Sequence, residues 1–567
     1  MIRTRLASLN AFEVFAAVIV VLMSLLIVYP LGRMLSNAFL VDGSLSLVAF
    51  SHMWDDASLR SAVKGTAMLV GISVPIAVSI AAFFAWCNER TNARLGWLSD
   101  VLPLVPLLMP SLASIIGLVF LFAPRAGYGN IFLRFVFDKI GFDVVEGPIN
   151  IFSTYGLISL YVLFLVPFAY LPLAAALRNL DPGYEEASRV AGAGVMKTVR
   201  TVTLPAVLPA IASSMLLSIV VAFALFTAPV IVGTTARINT VSVWVYHALT
   251  QFPPRKDEAI AVGLVLLVVI LTFAMVERRI RKRGNFATIG GRARSDSPID
   301  LGKLRWVVRG LMLLYVALTA ALPFGALCYL SLQKFWTLKP KFEGNFNNFN
   351  AAFFDNPTAK AGLQHSFLLG ALGATIAVFV IAVMARYMQR AGHVGGALVD
   401  FATKAPATMS HLIIALAFLV ALGGAPFNLQ GTLTILVLVY VVLYLPFGSV
   451  ITNAAYAQIG NDLVDSSRVC GASPLRTFRK VELPLLAPGL VATWCLCFVL
   501  MAGELTASAI LTTGGLPVLG TAILSFYNNG NFTLVAALGT IMTIASIVVV
   551  GFAQFVSRRF LSLAPPT

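Results

Sequence analysis

Apolar runs long enough to cross a bilayer recur along the whole chain, and no other feature restricts the fold so strongly. A helix needs about 20 residues to span the hydrocarbon core. Inside that core every backbone N–H and C=O must be bonded within the segment, so a lone run of this length has to be helical. The runs are 12–35, 62–87, 101–123, 152–177, 207–233 and 258–277, then 306–330, 363–386, 401–423, 431–455, 486–512 and 532–556. The expected fold is an all-α polytopic membrane protein with twelve transmembrane helices. Composition excludes the soluble alternative: 59% of the 567 residues are hydrophobic and 11% charged, against about 25% charged in soluble domains.

The net charge of +16 would suit a nucleic-acid binder, but Lys and Arg sit in short loops between the runs, which is the positive-inside pattern. Membrane lipids are expected as partners and nucleic acid is not. Arg3 and Arg5 followed by an apolar run look like a signal peptide. The run is too long for that and no small-residue cleavage site follows, so a retained first helix is expected. The basic residues place both termini in the cytoplasm. The largest cytoplasmic contribution comes from RRIRKRGNFATIGGRARSDSP after the sixth run. Residues 278–305 are read as a flexible linker, and the same basic run suits contact with anionic lipid.

A polar segment is used twice. Glu185 to Pro209 reads EEASRVAGAGVMKTVRTVTLPAVLP, and Asp465 to Pro488 reads DSSRVCGASPLRTFRKVELPLLAP. With Glu186 over Asp465 the copies align without gaps at a spacing of 279. Arg189/Arg468, Val190/Val469, Gly192/Gly471, Thr198/Thr477, Leu204/Leu483 and Pro205/Pro484 coincide. The repeat extends outwards: Thr66/Ser366, Leu69/Leu369, Ala85/Ala385, Arg90/Arg390, Asp100/Asp400 and Met109/Met409 match at a spacing of 300. An even number of spans per half leaves both halves with one orientation, giving two parallel six-helix repeats. The expected division is a first half at 1–277 with a loop at 185–205, the linker at 278–305, and a second half at 306–567 with a loop at 464–484. Both loops are expected on the cytoplasmic side.

Within each copy, Glu185, Glu186 and Ala187, or Asp465, Ser466 and Ser467, look like a helix start with acids near the positive end of the dipole. Gly192 and Gly471 permit a turn or a close approach. Val195, Met196, Val199, Leu475 and Phe478 offer apolar surface, and Leu204-Pro205 and Leu483-Pro484 should stop or kink the helix. The expected result is a short cytoplasmic helix gripped by another protein.

These copies resemble the EAA loop of permease subunits of ABC importers: EAA, a glycine some residues on, then an apolar residue and LP. Glu186-Ala187-Ser188, Gly192 and Leu204-Pro205 carry the likeness in the first copy. Asp465-Ser466-Ser467, Gly471 and Leu483-Pro484 carry it in the second, and both depart from the full triplet. The resemblance implies a type I importer-like fold in a bacterial inner membrane. It also implies that Glu186, Ala187, Gly192, Leu204, Pro205, Asp465, Gly471, Leu483 and Pro484 couple to an ATPase. The partners implied are two copies of an ABC ATPase, which hold the ATP and Mg, and a periplasmic solute-binding protein. Two fused halves, with the stretch Gly503 to Ile523, look most like the ferric-iron type, whose relatives handle 2-aminoethylphosphonate, thiamine, sulfate or polyamines. Fe(III) is the expected solute, with 2-aminoethylphosphonate or another small phosphorylated or cationic solute as the alternative.

No GxxxxGK[ST] occurs, so no ATP or other cofactor is expected in this chain. No catalytic constellation is read: His52, His247, His365, His393 and His411 are scattered, and Cys87, Cys328, Cys470, Cys495 and Cys497 lack metal spacing. Neither enzymatic chemistry nor a metal site is expected. Glu504 lies within the eleventh run, where an acid costs roughly 2.5–3.5 kcal/mol unless it meets a cavity or a partner. It is read either as a residue of the translocation pathway or gate, or as a protonated or paired structural Glu facing another helix; its repeat mate is Leu225. The outer loops at 124–150 and 331–362, with Phe335, Trp336, Phe342 and Phe346, are candidates for docking a soluble protein or for lying in the interface. A secondary transporter is the competing class. It would usually carry several ionisable residues at midplane and would have no use for the duplicated loop.

Overall fold

A computed structural model describes residues 11–561 apart from 42–43, 46, 97–98, 100–101, 284–297, 339–343, 389–392, 458 and 460. Arg3, Arg5, Asp100, Phe342, Arg390 and half of the 278–305 linker, residues 284–297, therefore lie outside the described residues. Apart from a two-residue antiparallel ladder, Leu40–Val41 with Ser44–Leu45, the described regular structure is helical.

Ten described helices are long and apolar enough to cross a membrane. They are span one (Phe12–Phe39), two (Ala57–Arg90), four (Thr154–Asn179), five (Val195–Ala224), six (Lys256–Ile280), seven (Leu304–Ser331), eight (Pro357–Met388), ten (Leu433–Tyr456), eleven (Phe478–Ala502) and twelve (Phe532–Ala553). Spans three and nine contain shorter apolar helices, Ser111–Phe122 and His411–Leu422. The expected continuous runs at 101–123 and 401–423 are broken. In the first, Pro110 is extended before Ser111–Phe122; in the second, a 3-10 turn at Pro406–Thr408 precedes extended Met409. Proline removes a backbone donor and disfavours helix in the residue before it.

The end of span five differs too. The helix stops at Ala224, and after a π-turn at Pro229–Gly233 a further short helix, Val241–Thr250, is buried. Leu519–Asn528 repeats it after span eleven. Composition left both inside loops. Their N-termini explain the repeated hydroxyl near the start of spans two and eight. Thr66 Oγ1 accepts the Val241 N–H at 2.9 Å, and Ser366 Oγ accepts the Leu519 N–H at 2.7 Å. Each satisfies a helix N–H that has no partner inside its own helix.

The chain forms two compact units whose composition differs from the sequence halves. One holds residues 1–47, 350–529 and 541–567; the other holds 48–349 and 530–540. Spans one and seven have thus exchanged units. Span one buries Ala16, Val20, Met23, Ile27, Met34 and Ala38, a single stripe at helical spacing, against spans eight and nine. Phe15 meets Phe379 edge-on at 6.3 Å, and Tyr29 meets Phe427 at the same distance. In the other unit, span seven packs against Ser111–Phe122. A Cβ on Gly117 would stand 2.4 Å from the Pro323 carbonyl oxygen, so the two backbones touch. Ser114 Oγ donates to Thr319 O at 2.8 Å, and Tyr315 donates to Leu163 O at 3.0 Å. Arg309 closes this attachment by donating to the carbonyls of Asn92, Ala93 and Arg94, each at 3.1 Å.

Candidate coupling site

In the first copy of the duplicated segment, Asp181 caps a helix with its side chain on the Gly183 N–H, and Pro182 supplies the first residue. The helix runs Pro182–Val190. It ends in a Schellman turn: the Gly192 N–H donates to Arg189 O at 2.9 Å and the Ala193 N–H to Ser188 O at 3.1 Å. Gly192 has φ +86°, a region that side chains other than glycine rarely enter. A second helix starts at Val195 and passes through a π-turn, Val199–Thr203, into Leu204–Ala224. The Ser188 and Thr198 hydroxyls brace the two arms at 3.1 Å.

The second copy repeats the same order of elements. Its helix is Asn461–Val469, followed by Pro474–Thr477, a π-turn at Phe478–Glu482, and Leu483–Ala502. Gly471 has φ +79°, the Ala472 N–H donates to Ser467 O at 3.1 Å, and Ser467 and Thr477 brace at 3.0 Å. The segment is therefore a helix–turn–helix rather than one short helix.

Leu204-Pro205 and Leu483-Pro484 do not end a helix, as the sequence suggested. The π-turn ahead of each proline widens the backbone, and the Leu204 and Leu483 N–H groups bond five residues back to Val199 O and Phe478 O. The donor that proline lacks then falls in a turn already out of α register.

The tip of each segment is apolar and open to solvent. Val190 and Val469 are each 89% exposed, Met196 is 64% exposed, and Leu204 and Leu483 are partly exposed. Glu186 and Asp465 lie on the segments away from the core, half-buried and exposed respectively, beside exposed Ala187. The acid that is buried is the preceding one, Glu185.

Glu185 points inward to Arg90, the last residue of span two. Arg90 Nε stands 2.8 Å from Glu185 Oε2, and its Nη2 donates to Leu177 O at 2.8 Å and Leu180 O at 2.7 Å. Thr203, in the π-turn, donates to Glu185 Oε1 at 2.5 Å. The buried guanidinium thus joins span two, the end of span four and the first arm of the segment, and the Glu185 carboxylate joins the second arm through Thr203. The second copy also holds a buried pair, from other positions: Arg386 Nη1 and Glu482 Oε2 are 3.5 Å apart. The Arg386 guanidinium lies over the Phe12 ring at 4.6 Å and the Phe478 ring at 4.3 Å. Hydropathy passed over these pairs because their charges lie at helix ends, where they read as loop residues.

Glu504 is not mid-helix. The helix stops at Ala502 and the acid sits in the break before Ser508–Leu511. Buried there, it accepts the Ala507 N–H at 2.9 Å and a hydrogen bond from Tyr444, with His411 Nδ1 at 3.3 Å. His411, scattered in sequence, is brought beside it and remains partly exposed.

Among the aromatics of the 331–362 loop, Trp336 is structural: its indole donates to Ala126 O at 2.9 Å and packs edge-on to Phe120 and Phe532, each at 5.0 Å. Phe335 and Phe346 are exposed. Among the described residues, no three His, Cys, Asp or Glu side chains gather as metal ligands.

The sequence profile of the family described as binding-protein-dependent transport system inner membrane component matches residues 66–282 and 377–562, spans that include both segments. The chain is similar, at 22% identity over 541 residues, to the ferric transport system permease protein FbpB of Actinobacillus pleuropneumoniae, covering 95% of this chain and 77% of that one. It is 23% identical over 470 residues to the Fe(3+)-transport system permease protein FbpB 2 of Haemophilus influenzae, covering 80% and 82%. A solved bacterial ABC transporter involved in import of the acidic polysaccharide alginate aligns with 44% of this chain and 88% of its own, at TM-score 0.35 and 22% identity.

Proposed function

The chain belongs to the family of inner-membrane components of binding-protein-dependent transport systems, and from that premise we propose that it is the permease subunit of an ATP-driven importer of Fe(III). It is a multi-pass transport subunit rather than an enzyme; ATP and Mg are held by its partner. The observation that carries this reading is the pair of matching helix–turn–helix segments, each presenting a valine that is 89% exposed. Two equal apolar knobs call for two equal sockets, hence two copies of an ABC ATPase. Closure of those subunits on ATP pushes the segments, and the spans rooted in them alternate the pathway between outward and inward access. A periplasmic binding protein delivers the solute at the outer face, and both termini and both segments are cytoplasmic. What supports Fe(III) is similarity along nearly the whole chain to relatives named for ferric transport. Glu504 contributes to the pathway indirectly, by orienting partly exposed His411.

The test is reconstitution of the chain with its ATPase and binding protein in liposomes. Hydrolysis should rise with the Fe(III)-loaded binding protein and not with the empty one, and the rise should vanish in Gly192→Trp/Gly471→Trp. Stimulation that survives the double substitution removes the segments from the coupling role. Stimulation by a different loaded form replaces the solute.

A further inference from the structure

We infer that the buried pairs Arg90–Glu185 and Arg386–Glu482 are the joints through which each docked segment drives its half. In this view they are positioning residues that tie the movement of the segment to spans two and eight. The inference rests on the coupling role proposed above.

Comparison of the two copies carries it. Positions 185 and 203 of the first copy correspond to 464 and 482 of the second. The first copy has Glu185 and Thr203; the second has Val464 and Glu482. The carboxylate has moved from the first arm to the π-turn, yet each copy keeps one, buried to 3–4% exposure against a buried arginine. In the first copy Thr203 Oγ1 touches the Glu185 carboxylate, so the two positions face one spot. The buried arginine of the second copy is not the mate of Arg90, which is Arg390 and lies outside the described residues. In the register that pairs Thr66 with Ser366, Arg386 corresponds to Trp86, one helical turn before the mate of Arg90 and on the same face. The carboxylate has changed place while a buried pair has stayed.

General stabilisation does not explain this, because a buried ion pair is weak evidence for stability and well-packed apolar residues often replace it without loss. Its distinctive property is directional. Arg90 donates to the Leu177 and Leu180 carbonyls while its Nε stands beside the Glu185 carboxylate, an arrangement that a greasy contact does not impose. In the second copy, the Arg386 guanidinium stands over the Phe12 and Phe478 rings, which confine it. A segment fastened in this way cannot slide on its span; it moves the span.

The test uses the complete importer in liposomes with Fe(III)-loaded binding protein and compares wild type, Glu185→Val and Glu185→Val/Thr203→Glu. The double variant places the carboxylate where the second copy carries it, with Arg90 unchanged. Three quantities are read: ATPase subunits retained per chain, stimulated hydrolysis, and Fe(III) transported per ATP. Glu185→Val should retain the ATPase and hydrolyse ATP while transport per ATP falls about tenfold, within the range found for residues along a coupling route. The double variant should recover to within about threefold of wild type. Unchanged transport per ATP in Glu185→Val overturns the inference, as does a double variant that holds the ATPase and stays uncoupled. If Glu185→Val fails to fold, the double variant alone decides by the same criterion. A wild-type chain that holds no ATPase removes the underlying functional reading, and this inference with it.

Discussion

Alanine at Gly192 and at Gly471 should weaken ATPase docking by an amount that follows from the backbone alone. Both glycines lie in the left-handed region, at φ +86° and +79°, and no atom stands within 4 Å of the Cβ either would acquire. Steric collision therefore contributes nothing, and the cost is the conformational penalty of an L-residue there, about 1–2 kcal/mol. The penalty falls on the Schellman turn that sets the angle between the two arms. At about 1.4 kcal/mol per tenfold, the formed turn becomes roughly 5–30-fold less populated, and the dissociation constant for the ATPase rises by that factor. Asparagine, which tolerates this region, should lose less. Gly194, two residues away, is the control. Its φ is −67°, its surroundings are open, and its mate in the second copy is Ser473. Gly194→Ser should bind as wild type does. The assay is titration of the purified chain with its ATPase subunit, with the melting temperature measured alongside. Normal affinity in Gly192→Ala, or equal loss in Gly194→Ser, refutes the reasoning.

Four other outcomes are expected. Val190→Asp/Val469→Asp should reduce ATPase retention without lowering the melting temperature, since both side chains are 89% exposed; a fall in melting temperature would mean they are packed. Arg386→Gln breaks the buried contact with Glu482 and should lower stability in thermal or denaturant unfolding, whereas Arg386→Leu/Glu482→Leu should regain stability and not transport. At Asp56, the N-cap of span two, burial pushes the carboxyl up, but hydrogen bonds from Ser58, Arg255 and the Ser58 and Leu59 amides outweigh it and hold the pKa at about 2, below its ordinary 3.8. A depressed carboxyl stabilises above its unfolded value, so stability should be lost as pH falls from about 4 towards 2, and Asp56→Asn should flatten that part of the melting profile. Transport by Glu504→Gln and Glu504→Leu separates the two readings of that acid: full activity in both, at normal expression, removes it from the pathway.

Much of the architecture was legible because membrane helices advertise themselves locally. Length and apolarity decide a span, and ten long helices and two shorter ones stand where the runs lay. The repeat spacing was equally local, and it foretold pairs whose meaning only coordinates supply, such as Thr66 and Ser366 capping the buried helices at Val241 and Leu519. The glycines of the duplicated segment were legible as turn residues for the same reason. A left-handed turn is a property of a few neighbouring residues.

What the sequence could not disclose is which partner each surface meets. Span one carries a clean stripe from Ala16 to Ala38, but an apolar stripe fits any apolar groove, so its exchange with span seven is a tertiary decision. Leu204-Pro205 reads as a stop in sequence, and only the π-turn that precedes it lets the helix continue. Glu186 fits the motif, yet Glu185 is the acid that turns inward, because Arg90 waits at the end of a span 95 residues earlier. The Arg386–Glu482 pair shares no sequence pattern with it. Hydrophobicity and backbone conformation are additive along a chain and can be summed residue by residue. A buried charge has meaning only through the charge it finds, and that partner is chosen by packing.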